Sequence, residues 1–220
     1  MPLPPAEAAP LGLFGGTFDP IHLGHLRLAE EARESLGLAS VCFIPAGTPP
    51  HRDIPQTPAE HRLEMVRRAV AGNPAFCCDD AEARSEERSY TVLTLERLRA
   101  QHGDRPLVLL LGADAFLGLA SWHRWQDIVR LAHIAVAGRP GHAADELPPQ
   151  LRDVLGRRIS RDADRLRAAP AGAIVRFDMT PLAISATEIR AMLHNGRSPR
   201  YLLPDSVVDY IAAHSLYGYP

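Results

Sequence analysis

The chain of 220 residues has no excess of charge of either sign: 24 Lys and Arg against 26 Asp and Glu leave a formal net charge of -2. A nucleic-acid partner requires a basic field that displaces its counterions, so that class of partner is not expected. Cysteine is scarce. Cys42, Cys77 and Cys78 show no metal-ligand spacing, and an odd number without a secretory segment argues against a disulfide framework; they read as small core residues in a reducing compartment. No apolar run approaches the roughly 18 residues that a membrane helix needs. Residues 1–10, rich in Pro and Ala, lack the basic start and apolar stretch of a signal peptide and read as a disordered extension. A cytoplasmic location is expected, with no membrane partner. Two common phosphate-binding devices are also missing. There is no G-x-x-x-x-G-K-[ST], and no G-x-G-x-x-G follows the first apolar run, so P-loop enzymes and dinucleotide-dependent dehydrogenases are disfavoured.

What remains is an ordinary globular composition, 46% hydrophobic and 23% charged. Short apolar runs at Leu11–Phe14, Val41–Ile44, Phe76–Cys78, Leu107–Leu111, Ile134–Ala137 and Ile174–Phe177 read as buried strands. Between them lie stretches of helical periodicity at Leu23–Leu36, closed by Gly37, at Thr91–His102 and around Trp125–Leu131. Thr57-Pro58-Ala59-Glu60 has the form of a capping box and predicts a helix running to about Gly72. Two more helices close the chain, near Ser185–Leu193 and Asp205–His214. Strands that alternate with helices predict an α/β fold, a Rossmann-like doubly wound parallel sheet flanked by helices, with a small C-terminal helical subregion. Residues 11–220 are expected to form one domain. Gly141–Ala171, rich in Arg, Asp, Pro and Ala, reads as a variable helical insertion or surface excursion.

The segment Gly15-Gly16-Thr17-Phe18-Asp19-Pro20-Ile21-His22-Leu23-Gly24-His25 stands where the first strand hands over to the first helix. Ligands of open parallel sheets bind at such strand ends. Two glycines let backbone approach a phosphate, and the helix start adds unpaired N–H groups and a positive dipole end. His22 and His25, three apart, share one face of the first turn and can donate to phosphate oxygens as charge builds there. Ser185 with Glu188 is a capping box whatever the function, yet Arg190 close behind it is unfavourable with the helix dipole unless an anion lies between. His51 and Arg52, in a Pro-rich loop, can clamp a phosphate, although a solvated Arg is the default. Asp114 follows a strand, where a carboxylate meets a ribose or metal-bound water, or simply caps a helix. Trp122 and Trp125 read equally as core aromatics. Asp19 reads as a turn residue, and His61, His102, His133, His142, His194 and His214 as structural or surface.

The Gly15–His25 segment resembles the T/H-x-G-H region of the nucleotidyltransferase superfamily, and in its longer form the bacterial nicotinate-nucleotide adenylyltransferases. The similarity continues in order. Pro49-Pro50-His51-Arg52 resembles the family's substrate loop; Ser89-Tyr90-Thr91, Gly112-Ala113-Asp114 and Trp122-His123-Arg124-Trp125 resemble its central motifs. Ile184 to Arg190 resembles its late phosphate motif, with Ala186 where a second serine is usual, and Leu202-Leu203-Pro204 to Tyr217 resembles its tail. The resemblance implies transfer of the adenylyl group of ATP to nicotinate mononucleotide, releasing pyrophosphate. It implies His22 and His25 as catalytic donors, and Gly15, Gly16, Thr17, Phe18, Ser185, Thr187 and Arg190 around the ATP phosphates. His51, Arg52, Thr91, Asp114 and Trp122 would face the mononucleotide, Trp122 by stacking on its pyridine ring. Mg²⁺ would be held mainly by ATP phosphates, with no metal ligand of the protein's own, and a homo-oligomer is compatible. Nicotinamide mononucleotide or phosphopantetheine as acceptor, and a nucleotide-binding regulatory domain without turnover, are the alternatives.

Overall fold

The computed structural model describes residues 9–49, 55–138 and 147–219. His51, Arg52 and residues 141–146 of the expected excursion lie outside that set. Strand β1 (Leu11–Gly16) leads through a loop into helix α1 (Leu23–Leu36), whose buried Ala29, Ala32 and Leu36 fall on one face. Gly37 ends the helix with φ +60, a conformation that glycine adopts without a Cβ clash. Strand β2 (Ser40–Pro45) and helix α2 (Ala59–Val70) follow, then the short strand β3 (Phe76–Cys78).

Helix α2 starts one residue later than the capping box predicts. Pro58 is its N-cap and no side chain caps it; Thr57 is buried, with its side chain hydrogen-bonded to Tyr217 and its carbonyl oxygen accepting from Arg62 Nε at 3.0 Å. The cysteines also differ from expectation. Cys42 on β2 is buried, but Cys78 is only half-buried and Cys77 is exposed, as follows from β3 being the last strand on its side of the sheet.

Helices α3 (Ala81–Arg84) and α4 (Thr91–His102) precede the strand β4 (Leu107–Gly112), whose Leu107–Leu111 are all buried. Helices α5 (Ala113–Leu117) and α6 (Trp125–Leu131), strand β5 (His133–Gly138), helix α7 (Pro149–Leu155), strands β6 (Ile159–Ser160) and β7 (Ile174–Asp178), and helices α8 (Ala186–His194) and α9 (Asp205–Ala213) complete the order. The excursion is thus not only helical. Its β6 adds a parallel edge to the sheet through Ile159 and Ser160 against Ile174 and Val175.

Among the described residues the sheet has seven strands in the order β3-β2-β1-β4-β5-β7-β6. The β1–β4, β4–β5 and β5–β7 ladders are parallel, with Leu13 beside Leu109 and Leu109 beside Ile134. From β1 the chain winds outward to β2 and β3, then resumes with β4, which is the doubly wound topology that the alternation predicts.

The chain divides into two compact units. The first comprises residues 1–14, 28–41 and 90–181, the second residues 15–27, 42–89 and 182–220. In the first unit Arg99 of α4 donates to the carbonyls of Gly103, Arg105, Leu131 and Pro170 and so ties loops at the amino ends of strands. His133 is wholly buried there. Its Nδ1 accepts from Ala173 N at 2.9 Å and its Nε2 donates to Ala169 O at 2.8 Å, which fixes a neutral tautomer; burial lowers its pKa.

Candidate active site

In the second unit the loop after β1 folds back on itself. Phe18 has φ +50, unusual for a residue with a side chain, and is 2% exposed. Its ring meets the His25 ring edge-on at 5.1 Å and lies 5.9 Å from Phe43. Phe18 is therefore a platform beneath His25, and only its backbone is available to a ligand. Gly16 must be glycine for the same reason, since a Cβ there would press on the Phe18 ring at 2.9 Å. Gly15 is exposed, with nothing within 4 Å of its notional Cβ.

His22 and His25 stack at 3.6 Å with 22° between their planes. The His22 backbone N–H donates to His25 Nδ1 at 3.2 Å, so a neutral His25 carries its proton on Nε2. His22 is buried, which pushes its pKa down to about 4, and its Nδ1 has no hydrogen-bond partner. Gly24 leaves room for this ring: a Cβ would sit 3.1 Å from His22 Cε1 and Nδ1. Two stacked imidazoles thus stand at the start of α1, that of His22 kept neutral at pH 7 by its burial.

Ser185 caps α8, accepting from Glu188 N at 3.2 Å. Arg190 is not aimed solely at that helix start. Its Nη1 donates to Asp19 O at 2.8 Å and its Nη2 to Thr187 Oγ1 at 3.4 Å, while its buried Nε has no partner. A cleft of 420 Å³ opens along the helix, lined by Ile184, Ser185, Glu188, Met192, Asn195 and Arg197 among others. Asp19 is not merely a turn residue. It is buried, its Oδ2 accepts from Gln56 N at 2.9 Å, and its Oδ1 accepts from Tyr217 OH at 2.6 Å. Burial and the Asp19 carboxylate hold the Tyr217 phenol far above its ordinary pKa, so it remains a donor.

In the first unit Thr91 opens α4 with no side-chain cap; Leu93 N and Thr94 N donate to Tyr90 O, so an approaching anion would meet the amides of Thr91 and Val92. Tyr90 just before it packs on His123 at 4.7 Å, and Arg124, at φ +51, pairs with Glu96 of α4 at 2.7 Å and Asp127 at 2.9 Å. These contacts anchor the segment that carries Trp122, which is half-buried rather than a core residue. Trp125 lines a separate groove of 690 Å³ with Leu117, Ser121 and Val154 among others. Asp114 stands exposed in the first turn of α5, directly after β4.

Sequence reasoning missed Arg62, Tyr217 and the role of Asp19. A lone Arg in a helix has no motif, and the tail resemblance that ends at Tyr217 gives that residue no partner. Their burial becomes visible only when distant segments meet. Among the described residues no three His, Cys, Asp or Glu side chains converge in metal-binding geometry, and no helix is long and apolar enough to cross a membrane.

A doubly wound sheet with a paired-histidine helix start after its first strand defines a nucleotidyltransferase of the α/β type, and residues 13–192 match the cytidylyltransferase-like family, to which the chain belongs. The "Probable nicotinate-nucleotide adenylyltransferase" of Dechloromonas aromatica is 60% identical over 211 residues, covering 94% of this chain and 97% of that protein. The Acidithiobacillus ferrooxidans protein of the same name is 51% identical over 210 residues, covering 96% of both. Within the nucleotidyltransferases, the chain is a member of the nicotinate-nucleotide adenylyltransferase family. The fold is also that of the Plasmodium falciparum nicotinic acid mononucleotide adenylyltransferase complexed with NaAD, with a TM-score of 0.72 at 16% identity, covering 96% of this chain and 98% of that one.

Proposed function

We propose that the chain transfers the adenylyl group of ATP to nicotinate mononucleotide, with a phosphate oxygen of the mononucleotide attacking the α-phosphorus in line and pyrophosphate leaving. The observation that carries this reading is the stacked His22–His25 pair at the start of α1, in a unit that also holds two buried nitrogens without partners, His22 Nδ1 and Arg190 Nε. Buried polar atoms are nearly always hydrogen-bonded, and phosphate oxygens supply the acceptors such a pair lacks.

The nucleophile is already an anion, so positioning and charge stabilisation suffice. His25 Nε2–H donates to the triphosphate, with His22 beside it. The backbone of Gly15 to Phe18 lies along the phosphates. The α8 start at Ser185, with Thr187 and the free edge of Arg190, takes the departing pyrophosphate. Trp122 offers a flat face to the pyridine ring, and the open amides at Thr91 receive its carboxylate. Asp114 takes a ribose hydroxyl. His51 and Arg52 are assigned to the mononucleotide phosphate on the family resemblance alone. Mg²⁺ enters bound to the ATP phosphates, as part of that substrate. The absence of a spanning helix among the described residues is compatible with a cytoplasmic enzyme.

His25→Ala tests the assignment. It is expected to fold as the wild type and to lose about 10²–10³ in kcat, the usual cost of one such donor. A folded variant with the wild-type rate contradicts it.

A further inference from the structure

Arg62 is the largest wholly buried side chain of the second unit, at 1% exposure, and none of its hydrogen bonds goes to a carboxylate. Nη1 donates to Thr17 O at 2.7 Å and Ala46 O at 2.6 Å, Nη2 to Gly47 O at 2.8 Å, and Nε to Thr57 O at 3.0 Å. Thr17 belongs to the loop after β1, Ala46 and Gly47 to the loop after β2, and Thr57 to the entry of α2. One guanidinium therefore joins three backbone segments at the carboxyl ends of two strands.

Burying a guanidinium costs several kcal/mol of lost hydration, which its hydrogen bonds only partly offset; an apolar side chain of similar volume often serves stability as well or better. Packing alone does not explain its presence. The fork geometry does. Arginine presents a rigid planar array of N–H groups that lysine cannot reproduce, and it keeps its charge even where burial lowers its pKa, as burial does here against the opposing Asp19 carboxylate.

Peptide planarity supplies the consequence. The carbonyl of one residue and the N–H of the next point in opposite directions across a trans peptide. With the Thr17, Ala46 and Gly47 carbonyls turned toward Arg62, the N–H groups of Phe18, Gly47 and Thr48 are turned away from it. The Gly47 N–H indeed meets Ser89 Oγ at 2.9 Å, and Ser89 N donates back to Thr48 O at 3.0 Å. Gly47 itself admits no side chain, because a Cβ would run into the backbone oxygen of Glu82.

We propose that Arg62 is a positioning residue of the transferase, fixing the peptide planes of Thr17–Phe18 and Ala46–Thr48 in one register so that the loop beneath the stacked histidines keeps the geometry that adenylyl transfer needs. The inference rests on the proposed function. Arg62 touches no reacting atom; it acts through the backbone it holds.

The test compares wild type, Arg62→Lys and Arg62→Met for pyrophosphate release with MgATP and nicotinate mononucleotide, alongside circular dichroism and amide hydrogen exchange of each. Arg62→Lys is expected to fold, to lose about 10²-fold in kcat as the loops shift by about 1 Å, and to change KM for either substrate by much less. Exchange at Gly47 and Ser89 should quicken while the amides of β4 and β5 stay as protected as in wild type. Methylguanidinium added to folded Arg62→Met should restore part of kcat, which a role in stability alone does not predict. A folded Arg62→Lys with wild-type kcat and unchanged exchange at Gly47 and Ser89 overturns the inference, as does activity lost only in proportion to the unfolded fraction. Should wild type itself release no pyrophosphate, the proposed function fails, and the exchange pattern alone decides whether Arg62 holds these loops.

Discussion

His22 is the residue whose environment says most about the site. An exposed histidine titrates near 6.5, but burial brings this one down to about 4. In the unfolded chain it takes up a proton first as pH falls. Its contribution to stability is therefore complete above about pH 6.5 and is lost progressively as pH drops through its folded pKa near 4. A shift of that size corresponds to about 3 kcal/mol. His133, also depressed by burial, acts in the same direction. Urea unfolding is expected to show stability falling between about pH 6.5 and about pH 4, with a smaller fall in a His22→Asn variant. An identical pH dependence in wild type and variant contradicts the burial argument. Phe18, Gly16 and Gly24 hold the imidazoles in place: Phe18 lies against the His25 ring, Gly16 makes room for Phe18, and Gly24 makes room for His22. The sequence motif showed the histidines and glycines. It did not show that Phe18 lies under His25, because a positive φ at a residue with a side chain leaves no mark in the sequence.

Helices and strands were legible wherever local pattern and tertiary burial agree. The bounds Leu23–Leu36, Phe76–Cys78, Thr91–His102 and Trp125–Leu131 follow from periodicity and match the structure. Thr57 misled because its side chain turns to Tyr217, far along the chain, instead of to the first amides of α2. The strand β6 was hidden for a different reason: two residues pairing at a sheet edge carry no periodic signal. At α8 the predicted N-cap forms, and Glu188 Oε2 accepts from the Ser185 hydroxyl at 3.0 Å. Ser185 accepts from Glu188 N, and Ser185→Ala should cost about 1 kcal/mol, lowering Tm by roughly 2–4 °C in a chain of this size. Calorimetry checks the first effect. Since Ser185 also stands in the proposed pyrophosphate site, the apparent KM for ATP should rise as well, and a variant with unaltered Tm would show that the cap contributes nothing.

For the whole molecule, the parallel order β3-β2-β1-β4-β5-β7-β6 follows from the βα alternation and the right-handed crossovers that parallel strands impose. That architecture persists at 16% identity in the Plasmodium falciparum enzyme's fold. Such persistence fits a fold fixed by strand burial and topology rather than by particular surface residues. It also means that the fold does not choose the acceptor. The family does so, through relatives at 60% and 51% identity, and the candidate site must agree with it chemically. The role proposed for the paired histidines would serve any phosphate acceptor. In the function proposed above, specificity for a nicotinate ring is assigned to the α4 start at Thr91 and the face of Trp122. The most direct measurement is pyrophosphate release with MgATP, run side by side with nicotinate mononucleotide, nicotinamide mononucleotide and phosphopantetheine, with the dinucleotide identified by mass. Turnover with nicotinate mononucleotide well above the other two, yielding nicotinate adenine dinucleotide, is the predicted result; preferred turnover of another acceptor, or none at all from folded protein that binds ATP, contradicts it.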